Sequence, residues 1–577
     1  MTVVRCLIST TIALLSLAGC ERGEAPAAEK NASTNAAPLL VKHSVRPNVL
    51  LIVLDDIAFT DLGSFGSEIP TPNMDALARG GVIYTGFHVS PTCSPTRAML
   101  LSGNDSHLVG LGNMAEELAP NQQGKSGYEG YLNLRVAALP EVLRDAGYHT
   151  YMTGKWHLGL TRETSPAARG FEKSFAMLQG GAGAFSNMLP IVGPGKAKYR
   201  EDGKLLESLP ADFYSTRFYT EKMIEYMQAN LADDRPFFAY VAYTSPHWPL
   251  QAPEESIARH RGKYAEGYDV LVERRLQRLK ELGFFAPGVS AYPRLPGEKA
   301  WDELSEQEKR VEQRRMEIYA AMVEDLDIYI GRLVIWLKET GQYDNTFIFL
   351  MADNGPEGHH LHRGWEPLAK WMAECCDNSL ANMGHADSYI WYGPNWGAAG
   401  STPRRMYKGF TSQGGVNAPA FAHFPKRFSG GRVTQAITHV MDVMPTILAV
   451  TGVANPDTRF RDRDVLPMAG ESMLTMLEGT TDAVHGPEYA MGWELLAKRG
   501  LRQGDWKIIY EPFHELREPW PKGIKTNTWQ LYNLAEDPGE RHDLADNHPE
   551  KLRQLIKAWE EYAAQNGVVI PEVSSGY

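Results

Sequence analysis

The stretch NVLLIVLDD, residues 48–56, decides the fold class. After Asn48 the run is apolar without interruption through Leu54, then ends on Asp55-Asp56. A half-exposed strand would alternate apolar and polar positions. An unbroken β-branched and leucine run instead predicts a strand buried on both faces of a parallel sheet. The same unit recurs along the chain. Thr71-Pro72 opens a short helix closed by Gly80-Gly81, with Thr71 expected to cap it. Residues 140–145 read as a helix stopped by Gly147, and 148–153 as a strand running into Gly154-Lys155-Trp156-His157. Residues 221–231 are helical, and 236–243 form a strand ending near His247. A long helix from about 305 to 338 precedes a strand at 346–351, which ends at Asp353-Asn354. Strands alternating with helices give βαβ units, and polar clusters at the carboxyl ends of the strands mark the ligand edge of such a sheet.

The ends of the chain read differently. Arg5, the apolar stretch from Leu7 to Leu17, and Leu17-Ala18-Gly19-Cys20 resemble a bacterial lipoprotein signal, with a plain secretory peptide as the alternative. The expectation is cleavage after residue 19, a lipid anchor on Cys20, a flexible tether over 21–45, and a periplasmic or cell-envelope location on the outer membrane. Glu21, not Asp, follows the cysteine, so the usual inner-membrane retention signal is missing. The catalytic domain is expected over 46–480. Within it, 254–316 reads as a charged helical hairpin or lid, or as a solvated excursion. From about 481 the pattern turns to antiparallel strands (501–510 and 529–534) and an amphipathic helix (549–565), a small α+β unit reaching to 577. The net charge of −12 excludes the basic stripe of a nucleic-acid binder but not a local cation cluster for an anionic substrate. Nothing points to an oligomer, so a monomer is expected.

Of five cysteines, Cys6 leaves with the signal and Cys20 is the lipid site. Cys375 and Cys376 are adjacent and could pair only through a strained vicinal bridge, so ordinary buried or loop thiols are expected there. Cys93 is left alone, in CSPTRAMLLSG (93–103).

Asp55-Asp56 and Asp353-Asn354 are two oxygen-rich pairs at strand ends, the donor type that calcium or magnesium prefers. The histidines of His359-His360-Leu361-His362 lack the repeated spacing of a zinc site and are expected either to support site residues from behind or to lie on the loop surface. Lys155 and His157, two apart, would share a side if the chain stays extended. With Arg97 and Lys408 they bring basic groups from distant segments, a set suited to a tetrahedral oxyanion.

CSPTRAMLLSG resembles the signature of the formylglycine-dependent (type I) sulfatases, in which a C-x-P-x-R pattern directs oxidation of the cysteine to formylglycine. Gly154 to Gly159 (GKWHLG) resembles the second signature of that family. Further similar segments are TPNMDALA, SPHWPLQAP, ADNG, YKGFTSQGG, LRQGDWK and DPGERHDLA, so the likeness covers residues 47–566 and is greatest to bacterial arylsulfatases of the Pseudomonas type. It implies an α/β, alkaline-phosphatase-like fold, with a large mixed sheet flanked by helices and a smaller C-terminal α+β domain containing an antiparallel sheet. It implies one calcium per chain, with magnesium as the alternative, held by Asp55, Asp56, Asp353, Asn354 and the modified Cys93. Arg97 would stabilise the hydrated formylglycine, Lys155 and His157 would flank it, and His247 and Lys408 would hold the sulfate and meet the leaving group. The implied partners are small-molecule sulfate esters and a formylglycine-generating maturation enzyme. In this chemistry one hydroxyl of the hydrated aldehyde attacks sulfur, and deprotonation of the other, assigned to His157, expels sulfate. Gln413 and Val416-Asn417 depart from the common family pattern, which bears on substrate preference. Two rival readings stay open: a phosphonate or phosphate monoester hydrolase of the same superfamily, and an inactive tethered binding lipoprotein.

Overall fold

A computed structural model of the 577-residue chain describes residues 46–360, 366–512 and 525–573. The signal, the tether and Cys20 lie outside the described residues. In chain order the strands of the main sheet are β1 (Asn48–Leu54), β2 (Val82–Tyr84), β3 (His149–Lys155), β4 (Lys173–Met177), β5 (Tyr199–Glu201), β6 (Lys204–Leu205), β7 (Phe237–Ala242), β8 (Thr346–Ala352), β9 (Ala420–His423) and β10 (Arg432–Thr434). They lie side by side as β10-β2-β9-β8-β1-β7-β3-β4-β5-β6. The central five, β8-β1-β7-β3-β4, are parallel. β9 runs antiparallel to both of its neighbours, and β5 and β6 continue antiparallel on the far side, so the sheet is mixed.

All seven residues of β1 are buried, as the continuous apolar run requires of a strand covered on both faces. Asn48 pins the start of the sheet. Its amide donates to Gln342 Oε1 (2.8 Å) and its carbonyl accepts the Phe237 backbone N–H (3.1 Å). The covering helices include α1 (Pro72–Arg79), α2 (Cys93–Ser102), α3 (Leu139–Asp145), α4 (Ser215–Ala229), α5 (Gly267–Glu281) and α6 (Glu306–Glu339). Glu308 and Ser305 close a capping box at the start of α6. Thr71 does not cap α1 as expected. Its hydroxyl accepts from Gly63 N and donates to Asp75 Oδ1, joining the helix to the preceding loop instead.

Within 254–316 a short helix over Glu254–Ala258 and α5 are followed by a stretch without α-helix up to the start of α6, and α5 is fastened to the body. The buried Arg275 on α5 pairs with Asp61 (2.7 Å) and Glu68 (2.9 Å), and Tyr268 packs edge-on against Trp301 and Trp396. A further helix, α7 (Glu366–Cys375), ends at a disulfide joining Cys375 to Cys376. This corrects the expectation of two free thiols. Both residues sit at the exposed end of a helix, where the backbone leaves its regular path and the two sulfurs can meet.

The C-terminal region forms a four-stranded antiparallel sheet: β11 (Ala490–Leu495), β12 (Lys498–Gln503), β13 (Trp506–Tyr510) and β14 (Trp529–Asn533). The expected strand over 501–510 is a hairpin, broken at Gly504-Asp505, and β11 is a further strand in which Met491, Trp493 and Leu495 alternate with Ala490, Gly492 and Glu494. Helix α8 (Pro549–Asn566) packs on this sheet through Leu555 and Trp559. The sheet is bonded to the segment that carries Lys408. Glu540 Oε2 accepts the Gln413 N–H (3.0 Å) while its Oε1 pairs with Lys507 (2.9 Å), and Arg405 donates to Gln530 and Tyr532.

Behind α2, the buried His107 ring lies between two carboxylates, with Nδ1 2.8 Å from Asp105 and Nε2 3.4 Å from Glu494 of β11. Burial alone would pull this imidazole down, but Asp105 and Glu494 outweigh it and hold it up at about 9. A group raised above its unfolded value of 6.5 contributes stability that is full below that value and is lost as pH rises through about 9. His107→Gln should therefore melt several degrees below the parent at pH 6, and the gap should narrow by pH 10. A gap independent of pH would show that the ring is neutral.

Candidate active site

The groups singled out in the sequence meet at the carboxyl edge of the parallel strands. β1 delivers Asp55-Asp56, β8 Asp353-Asn354, β3 Lys155 and the loop after β7 His247, because these strands are neighbours in the sheet. Asp55 N donates to Ser245 O and Asp353 N to Leu54 O, locking the strand ends together. Helix α2 points its first residue, Cys93, at this cluster. Every residue of the helix is buried and Gly103 closes it. Its unpaired N–H groups and positive dipole end make that position favourable for an anion.

Asp55 is bridged by Lys155 Nζ at 2.9 and 2.8 Å. Asp56 takes Lys408 Nζ at 2.8 Å and the Asn354 amide at 2.6 Å, and lies 3.7 Å from His247 Nε2. Arg97 grips Asp353 Oδ2 through Nε (2.9 Å) and Nη2 (2.7 Å), and its Nη1 donates to the Lys155 carbonyl (3.1 Å). Cys93 Sγ is 3.6 Å from Asp55 Oδ1 and 4.0 Å from Asp56 Oδ1. All these side chains are buried.

Burial and the crowding of carboxylates push Asp55 up to about 7 against the pull of Lys155, and they raise Asp56 as well. At Asp353 burial also acts upward, but Arg97, Lys155 and Lys408 outweigh it and hold the carboxyl low. Burial pushes the Cys93 thiol above its ordinary range, so the residue is no thiolate nucleophile. His247 is driven well down by burial, with Lys408 and Lys155 adding to it. Its Nδ1 faces the Trp248 carbonyl at 2.5 Å and must donate there, which leaves Nε2 as the lone-pair atom of the neutral ring.

Ligand atoms of Asp55, Asp56, Cys93 and His247 lie within 4.8 Å of one another. Asp353 and Asn354 adjoin this group through Asp56, and the buried Asn354 Oδ1 has no hydrogen-bond partner. A pocket of carboxylate and amide oxygens with one orphan acceptor fits a hard divalent cation.

One expectation changes. Lys155 and His157 do not share a side by strand alternation, because β3 ends at Lys155 and His157 has φ +55°. Lys155 turns to Asp55, and His157 Nε2 meets Glu116 at 2.9 Å. Of the histidine run, His359 packs on Glu357 (2.6 Å) and stacks on Phe410, His360 lies 3.5 Å from Glu298, and His362 is outside the described residues. Glu116 and Glu357 were not legible as site residues. Glu357, buried and 3.9 Å from Lys408, follows Asn354 by three positions in the same loop, and that proximity was the available signal. Glu116 stands in a separate turn with no spacing relation to His157. The glycine of the GKWHLG stretch has a plain reason: Gly154 has φ +106°, and a Cβ there would lie 1.8 Å from the Ala242 carbonyl of β7.

Known proteins resemble this chain over most of its length. The chain is 44% identical over 541 residues to an uncharacterized sulfatase of Schizosaccharomyces pombe, covering 91% of this chain and 95% of that one. It is 37% identical over 434 residues to an arylsulfatase of Klebsiella aerogenes, covering 74% of this chain and 91% of that one. The crystal structure of Ps i-CgsB in complex with a neocarrahexaose superposes with a TM-score of 0.63 at 22% identity, covering 92% and 95% of the two chains. That likeness carries the alkaline-phosphatase-like fold. A sulfatase family model matches residues 47–453, the span that holds every acidic and basic group converging on Cys93, and the chain belongs to the sulfatase family.

Proposed function

We propose that the protein is a calcium-dependent arylsulfatase that hydrolyses sulfate monoesters to a phenol or alcohol and inorganic sulfate, with Cys93 oxidised to formylglycine. The observation that carries this is the placement of Cys93: at a helix N-terminus, against Asp55 and Asp56, with its thiol held protonated. A buried thiol of raised pKa does little chemistry as a thiol, whereas its oxidised form suits the surroundings. The calcium would sit among Asp55, Asp56, Asp353, Asn354 and residue 93. When present, the ion supplies Lewis-acid charge and the hydrated aldehyde supplies the attacking hydroxyl.

The chain's own residues do the rest. Arg97, Lys155 and Lys408 bring three buried cations from separate segments to balance the carboxylates and the sulfate oxygens. His157 accepts the proton that must leave the residue-93 side chain when sulfate is released. His247 Nε2 meets the leaving oxygen. It can donate there only as imidazolium, a form that burial opposes and that the negative charge of a bound ester favours. The aryl preference is supported by the Klebsiella aerogenes relative's name. Location on the outer membrane through a lipid on Cys20 remains part of the proposal. Among the described residues no helix is long and apolar enough to cross a membrane.

Mass measurement on the peptide spanning residues 85–105 of active protein tests the reading: conversion of the thiol to an aldehyde is expected, and active protein with an unmodified cysteine sinks it. Chelation should abolish turnover of 4-nitrophenyl sulfate, and added calcium should restore it. A faster rate on nitrophenyl phosphate or phosphonate esters than on the sulfate would favour the rival hydrolase.

A further inference from the structure

We infer that Glu116 is a positioning residue for His157: its carboxylate fixes the proton on Nε2, so that Nδ1 is the basic atom of the ring. The role of that base rests on the sulfatase reading above, but the placement of the proton does not.

Glu116 Oε1 lies 2.9 Å from His157 Nε2. The carboxyl is held well down, burial pushing it up and the His157 ring more than reversing this, so it is ionised and can only accept. The proton of the neutral ring is therefore on Nε2. Nδ1 is buried without a hydrogen-bond partner. A buried polar atom left unmade costs on the order of 1–3 kcal/mol, a cost that is relieved when a donor arrives. His157 holds a left-handed φ of +55°, which takes its side chain out of the strand's alternation and toward Glu116.

A second observation concerns what covers the pair. A Cβ at Gly180 would lie 2.9 Å from Glu116 Oε1 and 3.0 Å from His157 Cε1. A glycine lets that backbone approach the two side chains from one side, while 49% of the Glu116 side chain stays exposed to solvent. The other charged groups that act on His157 are Lys155 at the end of its own strand and Arg97 on α2, and both lower its basicity while Glu116 raises it. His247 after β7, the remaining titratable neighbour, is a neutral ring.

The experiment uses the full chain in two states. In metal-free protein with 15N-labelled histidine, the His157 resonances should report a proton on Nε2 and a bare Nδ1. In calcium-loaded protein, Glu116→Ala should lower kcat on 4-nitrophenyl sulfate by about 10- to 100-fold, the usual effect of losing a carboxylate behind an imidazole, with KM little changed. Glu116→Gln keeps an acceptor for the Nε2 proton and should recover part of that loss. With the negative charge gone, its His157 is less basic, so the acid limb of the kcat profile should move to lower pH. Gly180→Ala should reproduce the Glu116→Ala defect with the carboxylate in place. A proton on Nδ1 in the parent overturns the inference. So does a Glu116→Ala kcat within about threefold of the parent, or equal losses in the Ala and Gln variants accompanied by a lower Tm. If the parent cleaves no sulfate ester yet shows the Nε2 proton, the proposed function fails and the inference stands.

Discussion

Cys93→Ala should remove essentially all turnover of 4-nitrophenyl sulfate, a loss of roughly 10⁴-fold or more, while the Tm stays within a few degrees of the parent. The two halves of that expectation have separate causes. The side chain is buried and lies at the first position of α2, where alanine is a good helix former and truncation leaves a void of one sulfur atom. In the proposed reaction, by contrast, residue 93 supplies the nucleophile. Cys93→Ser is the sharper variant. Its hydroxyl can attack sulfur and release the phenol, but the resulting serine sulfate ester has no second hydroxyl whose deprotonation would break the C–O bond. It should yield at most one equivalent of phenol per chain and then stop. Continued turnover by either variant would eliminate residue 93 as the nucleophile.

Asp353→Ala should cost both activity and stability. Asp353 provides both of the short carboxylate contacts to the fully buried Arg97; the next carboxylate, Asp55, is 3.6 Å away. Breaking a buried pair by removing one partner leaves an uncompensated charge and costs about 3–5 kcal/mol. A lowered Tm in metal-free protein is the readout, and activity should fall to background because an oxygen donor for the proposed cation goes with it. Asp353→Asn keeps the shape and one acceptor, so it should fold while still losing calcium affinity. The sign of the pH dependence follows from the depressed carboxyl: its stabilisation is present above the ordinary carboxylate range and is lost in acid. The gap between Asn variant and parent should be full at pH 7 and should narrow as the pH falls below the ordinary carboxylate value of 3.8. An Asn variant as stable as the parent at neutral pH would mean that Arg97 is satisfied by Asp55 and the Lys155 carbonyl.

Much of this site was legible because parallel strands leave a strong linear signal. Six apolar residues after Asn48 could belong only to a covered strand, and the acids that end it had to emerge at the ligand edge. The same logic placed Asp353, Lys155 and His247. What escaped was set by contacts across the fold. Thr71 had a better partner in Asp75 than the helix end it precedes. His157 left the strand's alternation for Glu116, a residue in a distant turn. Cys375 and Cys376 met because a helix stops there, and no pattern in the surrounding residues announces the stop. Strand β11 pairs along its whole length with β12, but its alternation of Met491, Trp493 and Leu495 spans only six residues with Gly492 in the middle, too short a signal to stand out.

The bonds from Glu540, Gln530 and Tyr532 to the 405–413 segment bear on how relatives could be recombined. The family match stops at residue 453, which invites a cut behind it. A chain cut there would keep Lys408 but lose the three side chains that brace its loop. In a chimaera, the portable unit is the Lys408 loop together with the terminal sheet from the same parent. Hybrids that split the two should fold their large sheet and still handle sulfate poorly.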